Sequence, residues 1–215
     1  MPTLSEDESK RRLAAVGVPV PDERVVSSAE EAVEAAGAIG YPVVAKLCGD
    51  AIAHKTERGL VRLGLADADA VAAAATELLA AARPEDGQVG VLVAPMVKGA
   101  RELIAGLHRD PQFGLTVMLG LGGILAEAVG RVAFRMVPLE GVDAEELLDD
   151  LAVPALLGAV RGEAAMDRGA VVDLVLALAA YGQAEAAVAS VDLNPVVVTP
   201  DGRPVAVDAL VELSS

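Results

Sequence analysis

Aromatic residues are scarce in this chain, since phenylalanine, tyrosine and tryptophan together make up 2% of its 215 residues. Apolar residues nevertheless account for 53% of the sequence, and most of them are alanine, valine or leucine. A core filled by such small aliphatic side chains is expected where helices pack closely on sheets. Because Cys48 is the only cysteine, an internal disulfide is excluded.

Long hydrophobic runs are also absent from the sequence. A membrane-spanning helix needs about 18 uninterrupted apolar residues, and the richest stretch, Ala170 to Tyr181, is interrupted by Asp173. The first eight residues contain acids and no apolar segment, so no signal peptide is predicted. We therefore expect a soluble, cytoplasmic protein with no membrane partner.

Basic residues are outnumbered by acidic ones, 17 to 32, which gives a formal net charge of −15. Binding to a nucleic-acid backbone requires clustered lysine and arginine, so we expect no nucleic-acid partner. A nucleotide bound by such a chain has to be neutralised locally, by a few cations and by Mg²⁺. The charge is equally explained as a means of keeping the protein soluble.

Helix and strand signals alternate along the sequence. Ser5 and Glu8 have the spacing of a helix-capping box, and Ser28 and Glu31 repeat it. Apolar periodicity predicts strands at 43–47, 60–65, 88–94, 102–108, 115–119, 132–137, 188–198 and 204–211, and helices at 67–82, 143–151 and 170–186.

This order of elements predicts an α+β fold in a single domain of two lobes. The approximate lobes are residues 20–94 and 95–215, with 1–19 packing on the second. We expect a hinge near residues 94–99 and a nucleotide in the cleft between the lobes.

The stretch Gly40 to Lys55 (GYPVVAKLCGDAIAHK) combines a strand with two reactive side chains. Lys46 is predicted at the end of the strand, where a lysine suits nucleotide phosphates, although an ordinary lysine with its head in water fits the same pattern. His54 is one of two histidines in the chain. A neutral imidazole can accept a phosphoryl group, and Asp192 is a candidate to orient it. A loop histidine without a role is the alternative.

The C-terminal hairpin suggests a metal site. If Thr199 pairs with Arg203 across a three-residue loop, Asn194 lies opposite Asp208, and Asp192 points to the same face as Asn194. Oxygen donors of this kind suit Mg²⁺ bridging nucleotide phosphates. A register shift of one residue would send Asp208 to the other face, which leaves ordinary polar residues at a strand end as the alternative.

A glycine-rich stretch, Gly120-Leu121-Gly122-Gly123, follows a predicted strand. It loosely resembles a phosphate-binding loop but lacks the Walker lysine and the dinucleotide spacing. A tight turn between strands is the favoured interpretation. Arg109 and Arg135 are isolated cations in apolar strands that could meet a phosphate or a carboxylate.

Five segments of the sequence, taken in order, resemble one known family. They are GYPVVAK…HKTE, ARELIAGLHRDPQFG, MLGLGG, VAFRMVPL and VDLNPVVV…VAVDAL, and together they cover nearly the whole chain. They are similar to the ATP-grasp domain, or β subunit, of NDP-forming acyl-CoA synthetases. This family includes the ADP-forming acetate–CoA ligases and is related to succinyl-CoA synthetase.

The resemblance implies ATP or ADP and Mg²⁺ as ligands and assigns roles to eight residues. Lys46 would bind the nucleotide phosphates, Ala94 to Val97 would hold adenine through the hinge backbone, and Glu102 would approach the ribose. Asn194 and Asp208 would hold Mg²⁺. His54 would be the relay histidine on a swinging loop, and Asp192 would steady the phosphohistidine.

The resemblance also implies a partner and shows one departure. A complete enzyme needs a CoA-binding α subunit or domain with its own phosphohistidine, so we expect a hetero-oligomer and no acyl-CoA synthesis by this chain alone. The family usually has Val-Gly-Gly-Val after its His-Lys motif, whereas this chain has Arg58-Gly59-Leu60-Val61. The lost glycine restricts φ where the loop returns to the sheet.

We therefore predict the ATP-binding, phosphoryl-transferring part of an ADP-forming acyl-CoA synthetase, a ligase. The alternative is a non-catalytic ATP-grasp module that regulates or scaffolds an acyltransferase, and a third reading is an ATP-grasp ligase of another type, such as a carboxylate–amine ligase. The acyl substrate and the choice between ATP and GTP stay open at this stage.

Overall fold

The computed structural model describes residues 2–49, 52, 58–123, 130–151, 157–160 and 162–214. They fall into two compact units, one made of Thr3–Glu8 and Pro21–Met96, the other of Met1–Pro2, Ser9–Val20 and Val97–Ser215. The helices are α1 (Glu6–Ala15), α2 (Ala29–Ile39), α3 (Ala68–Ala80), α4 (Gly141–Asp150) and α5 (Arg168–Ala184). The strands are β1 (Arg24–Val26), β2 (Val43–Gly49), β3 (Val61–Leu65), β4 (Val89–Pro95), β5 (Arg101–Asp110), β6 (Gly114–Leu121), β7 (Val132–Met136), β8 (Val188–Val198), β9 (Pro204–Ala206) and β10 (Leu210–Leu213).

Helices and antiparallel sheets are mixed along the chain, as the predicted α+β class requires. Both predicted capping boxes begin helices, because the Glu8 amide donates to Ser5 Oγ at 3.3 Å and the Glu31 amide to Ser28 Oγ at 3.1 Å. Two short elements lack a sequence signal and were not predicted. They are β1 and a 3₁₀ turn at Pro84–Asp86.

The first unit is a sheet covered on one face by two alanine-rich helices. Within the described residues the strand order is β1-β4-β2-β3, and every pair is antiparallel. Ala36 of α2 and Leu78 of α3 belong to one core cluster with Ala45 and Leu47 of β2. The alternate residues of β2 point to the opposite face, where Cys48 belongs to a separate small cluster. The small side chains let the helices approach the sheet closely, as the composition indicated.

The second unit is a larger antiparallel sheet with helices α4 and α5 packed against it. In the described part of the chain the order is β10-β8-β5-β6-β7, and β9 also pairs with β8. Helix α5 packs on β5 and β6, and α4 packs on β7. Val171, Val175 and Leu178 of α5 are fully buried. One sheet face therefore forms the core, and the other carries the polar residues described below.

The predicted register of the C-terminal hairpin is confirmed. Val196 pairs with Ala206 and Val198 with Pro204, and the Thr199 amide donates to the Arg203 carbonyl at 2.9 Å. The single strand predicted for 204–211 is wrong, because it divides into β9 and β10. The break lies opposite Pro195, which has no N–H to give to the ladder.

The turn between β8 and β9 packs against the residues before α5. Gly202 has a φ of +93°, and a Cβ there would lie 2.2 Å from the Ala165 carbonyl oxygen. The Gly202 carbonyl accepts from the Asp167 amide at 2.9 Å, and Asp167 in turn caps α5 by accepting from the Ala170 amide. The hairpin and the helix are therefore fixed to each other through a contact that excludes any side chain at 202.

None of the helices in the described part of the chain has the length and apolar character needed to cross a bilayer.

Candidate functional site

Lys46 lies in the middle of β2 and not at a strand end, which corrects the prediction from sequence. It pairs with Leu92 of β4 on one side and with Val61 of β3 on the other. Its Nζ lies 2.6 Å from Oε1 of Glu6, the first residue of α1. Lys46 is 6% exposed and Glu6 1% exposed. The alternative of a lysine with its head in water is therefore wrong.

The burial of this pair has an energetic consequence. A charge removed from water is expensive unless it is paired and hydrogen-bonded. The Glu6 carboxylate provides such a partner for Lys46 and fixes where the ammonium sits.

Ala94 lies on the same sheet face as Lys46. It pairs with Val44, two residues before Lys46, so that both side chains project from the face opposite α2 and α3. The Met96 amide donates to the Pro42 carbonyl at 3.1 Å and so ties the end of β4 to the start of β2. Val97 is the first residue of the stretch Val97–Ser215, which belongs to the second unit. The structure thus brings Lys46 and Ala94 together in one unit.

The departure at Arg58 and Leu60 is accommodated by specific contacts. Arg58 donates to both carboxylate oxygens of Asp86, from Nη1 to Oδ1 at 2.6 Å and from Nη2 to Oδ2 at 2.9 Å. These bonds, with one from the Arg83 amide, lower the pKa of the buried Asp86 carboxyl to about 2, and the pKa of Arg58 is raised by the same contact. Leu60 is 2% exposed, and its carbonyl accepts from the Leu47 amide at 3.0 Å. Both residues anchor the start of β3.

His54, the predicted relay histidine, lies outside the described residues.

In the second unit, two of the predicted acidic residues lie on neighbouring strands, Glu102 on β5 and Asp192 on β8, and the third, Asp208, lies between β9 and β10. Asp192 pairs with Gly106, and because even-numbered β5 residues share a face, Glu102 projects to the same side as Asp192. Asp192 and Asn194 are exposed and Asp208 is half-buried. The pairs on both sides of the hairpin break have one common register, which puts position 194 opposite position 208.

The donors at positions 194 and 208 fit a hard cation that takes part of its coordination from elsewhere. An amide oxygen and a carboxylate are oxygen ligands, and Mg²⁺ is usually bound by one or two protein groups together with phosphates and water. Among the described residues no three His, Cys, Asp or Glu side chains form a cluster that could hold a metal unaided. The oxygen donors at positions 194 and 208 could therefore supply part of the coordination of such a cation.

A pocket of about 550 Å³ lies on the same sheet face beside Asp192. Its apolar wall includes Phe134 and Met136, which are exposed on alternate positions of β7, and Met118 of β6. Asp192 consequently borders a space large enough for a side chain from another molecule or segment.

Several cations and glycines have structural contacts. Arg109 donates to the carbonyl of Gly182 near the end of α5 and to that of Val188 at the start of β8, and Arg135 pairs with Asp150 at 2.7 Å. Gly120 lies within β6, and the strand ends at Leu121, so the predicted tight turn begins later than the sequence indicated. The Gly122 amide donates to the Glu102 carbonyl at 2.8 Å.

Two residues at these sites were missed by the sequence reasoning. Glu6 looks like an ordinary acid in the first turn of a helix, and Asp86 like a polar loop residue. Their partners lie 40 and 28 positions away. No local pattern signals such a contact.

The sequence profile of the ATP-grasp domain family matches residues 2–213. The chain therefore belongs to the ATP-grasp family, and its two units of mixed helices and antiparallel sheets have that fold.

Proteins of similar sequence indicate more specifically which kind of ATP-grasp protein this chain resembles. The β subunit of ADP-forming acetate–CoA ligase II from Pyrococcus furiosus is 37% identical over 98% of this chain and 91% of its own length. The ADP-forming 4-hydroxybutyrate–CoA ligase of Nitrosopumilus maritimus is 34% identical over 94% of this chain, which is 29% of that longer protein.

A solved structure is similar over nearly the whole chain. The dinucleotide-forming acetyl-coenzyme A synthetase 1 of Ca. Korarchaeum cryptofilum, in complex with coenzyme A, Ca-AMPCP and HgCl⁺, matches with a TM-score of 0.91 and 36% identity over 99% of this chain and 94% of its own. A complex of the same protein with coenzyme A and Mg-AMPPCP, in which a phosphohistidine segment points towards the nucleotide site, has a TM-score of 0.82 and 35% identity over 97% of this chain and 92% of its own.

Proposed function

We propose that this chain is the ATP-binding, phosphoryl-transferring β subunit or domain of an ADP-forming acyl-CoA synthetase. The overall reaction converts an acid, CoA and ATP into acyl-CoA, ADP and phosphate, in either direction. The observation that carries the proposal is the match to a β subunit over 91% of that subunit's length, in a chain that keeps Lys46 on the sheet face beside Ala94.

Three groups of residues would hold the nucleotide. Lys46 would bind its phosphates, the backbone from Ala94 to Val97 would hold adenine, and Glu102 would accept hydrogen bonds from the ribose. The buried ion pair with Glu6 supports the role of Lys46, because it fixes the ammonium before a phosphate arrives. Arg101, next to Glu102, is buried and ion-paired with Glu163 and helps to hold the start of β5.

Asn194 and Asp208 would hold Mg²⁺ together with the phosphate oxygens. When bound, the cation neutralises phosphate charge and orients the transferring group. The hairpin register and the oxygen donors support this assignment. The net charge of −15 adds to the need for such local neutralisation.

His54 would be a relay between a partner's phosphohistidine and ADP. Its neutral imidazole nitrogen would attack phosphorus while the bond from phosphorus to the partner's histidine breaks. In the next step the terminal oxygen of ADP would take the phosphoryl group, and the imidazole would leave as a neutral group. The phosphohistidine segment of the Korarchaeum relative supports a histidine-borne phosphoryl group in this family.

Asp192 would steady the phosphohistidine near the nucleotide. A carboxylate hydrogen-bonded to one imidazole nitrogen fixes the ring orientation and leaves the other nitrogen for the phosphoryl group. The pocket beside Asp192 supports this role because it leaves room for an incoming histidine.

The partner would be a CoA-binding α subunit or domain in the cytoplasm. In that case this chain alone binds nucleotide but makes no acyl-CoA, and the complete enzyme is a hetero-oligomer. The P. furiosus relative is named as a β subunit, and the N. maritimus relative carries its matching segment within a longer chain, which supports both arrangements.

The relay is tested by mixing the chain with a cognate α subunit, acyl-CoA, radioactive phosphate and Mg-ADP. The wild-type chain should become labelled on histidine and should yield ATP, whereas the His54→Ala chain should do neither. His108→Ala, which removes the second histidine, should still be labelled. Full ATP synthesis by the His54→Ala chain would contradict the relay.

A non-catalytic regulatory or scaffold module is the competing function, and the change to Arg58 and Leu60 is the observation in its favour. Calorimetry with Mg-ATP separates the two. Binding that is lost in Lys46→Ala supports the enzyme component, and absence of binding by the wild-type chain supports the scaffold.

A further inference from the structure

Two consecutive glycines enclose Glu102 at the end of β6. The Gly122 amide donates to the Glu102 carbonyl at 2.8 Å. A Cβ on Gly122 would lie 3.0 Å from the Glu102 Cβ and 3.1 Å from its carbonyl carbon, closer than side chains normally approach. The absence of a side chain at 122 therefore lets the chain pass directly over the backbone of Glu102.

Gly123 meets the far end of the same side chain. A Cβ there would lie 2.9 Å from Oε2 of Glu102 and 3.3 Å from its carboxyl carbon. Gly123 also has a φ of +62°, which residues with a Cβ rarely adopt. The Glu102 carboxylate thus occupies the volume that any other residue at 123 would fill.

A tight turn alone does not explain this arrangement. Where a turn requires a positive φ, Gly123 can supply it. Gly122 does not have a positive φ, yet a Cβ there would also lie unusually close to its neighbours, and Glu102 is among the nearest atoms at both glycines. What the two positions share is contact with that glutamate.

We propose that Gly122 and Gly123 are positioning residues that hold the Glu102 carboxylate for the ribose hydroxyls, and so determine specificity for ribonucleotides. The inference rests on the proposed nucleotide-binding function and deepens it. A carboxylate accepts hydrogen bonds from two neighbouring hydroxyls, and these charge-assisted bonds are stronger than neutral ones. The two glycines leave the space next to Glu102 open, so a side chain at either position would press on Glu102 and shift its carboxylate.

The test compares the affinity of the chain for Mg-ATP and for the Mg complex of 2′,3′-dideoxy-ATP by calorimetry. The wild-type chain should prefer ATP roughly tenfold, the ratio expected for a hydrogen bond to a charged group. Glu102→Ala, Gly122→Ala and Gly123→Ala should each reduce that preference to about one, mainly by weakening ATP. Gly114→Ala is the matched control, since Gly114 has a φ of +79° with nothing within 4 Å of its virtual Cβ.

Combined variants separate positioning from general damage. In the Glu102→Ala background, Gly122→Ala should cause no further loss of preference, because the group it positions is gone. Gly122→Ala introduces no strain of a positive φ, so it stays informative if Gly123→Ala does not fold. A wild-type preference in Gly122→Ala, alongside a lost preference in Glu102→Ala, would overturn the inference alone. An unchanged preference in Glu102→Ala would overturn the role of Glu102 as well, and no Mg-ATP binding by the wild-type chain would overturn the proposed function.

Discussion

The ammonium group of Lys46 lies 2.6 Å from the carboxylate of Glu6, and both side chains are buried. The contact joins the first residue of α1 to the central part of β2. It means that the proposed phosphate-binding lysine is also part of the framework of its unit. Substitutions at either residue should therefore affect stability as well as binding.

Glu6→Gln should lower the free energy of unfolding by about 3–5 kcal/mol, the usual cost of removing one member of a buried ion pair. Urea unfolding followed by circular dichroism measures the change. Glu30→Gln is the matched control, because Glu30 is also in the first turn of a helix but is exposed. The free energy of unfolding of Glu30→Gln should fall by no more than about 1 kcal/mol. Equal losses in the two variants would contradict the importance of the pair.

The double variant Glu6→Gln/Lys46→Met should recover much of that stability. Uncharged side chains of similar size need no ion pair, so the double variant should lose less than the two single variants added together, by more than about 1 kcal/mol. Mg-ATP binding should remain at least about tenfold weaker than in the wild type. Recovery of both stability and ATP affinity in the double variant would contradict the proposed role of Lys46 in phosphate binding.

The Arg58–Asp86 pair predicts a pH dependence of stability. The pKa of Asp86 is about 2 in the folded chain and is lowered from 3.8. Because the folded pKa lies below the unfolded one, the pair contributes fully above about pH 5 and is lost as the pH falls from there towards 2. Asp86→Asn should therefore be less stable than the wild type at pH 7, and the difference should shrink steadily below pH 5.

Denaturant unfolding at several pH values checks this dependence. Glu85→Gln, at the exposed neighbouring position, should show no comparable change. A stability difference for Asp86→Asn that stays constant from pH 7 to pH 3 would be inconsistent with the pair.

Leu60→Ala should destabilise the chain by about 3 kcal/mol, because Leu60 is buried in the core of its unit and the variant leaves a cavity. Leu63→Ala is the matched control, because it removes the same atoms from a leucine of β3 that is 64% exposed. It should cost about 0.5 kcal/mol or less. Thermal or urea unfolding measures both variants. Similar losses would mean that Leu60 is not a core residue.

Sequence patterns were sufficient for the local structure and for the hairpin. Capping residues such as Ser28 and the continuous apolar character of β4 act over a few positions, so they are readable without a fold. The hairpin register followed from its turn, which is also local. The division of the last strand was missed because it depends on Pro195 facing it across the sheet.

The candidate site was predictable only in part, for the same physical reason. Lys46 was singled out from the sequence but was placed at a strand end instead of in the middle of β2, and its partner Glu6 could not be recognised from sequence. Gly122 and Gly123 were interpreted as part of a turn because the sequence does not show that Glu102 lies against them. Contacts of this kind join residues that are far apart in the sequence and meet only in the folded chain.

The contact at Gly202 has a consequence for how mutations are tolerated. The backbone of Ala165 lies where a side chain would begin, so every residue other than glycine is excluded at this position by geometry. In a saturation library selected only for folding, position 202 should retain glycine although it lies far from any reacting group in the sequence. Invariance there would reflect architecture and should not be counted as a sign of catalysis.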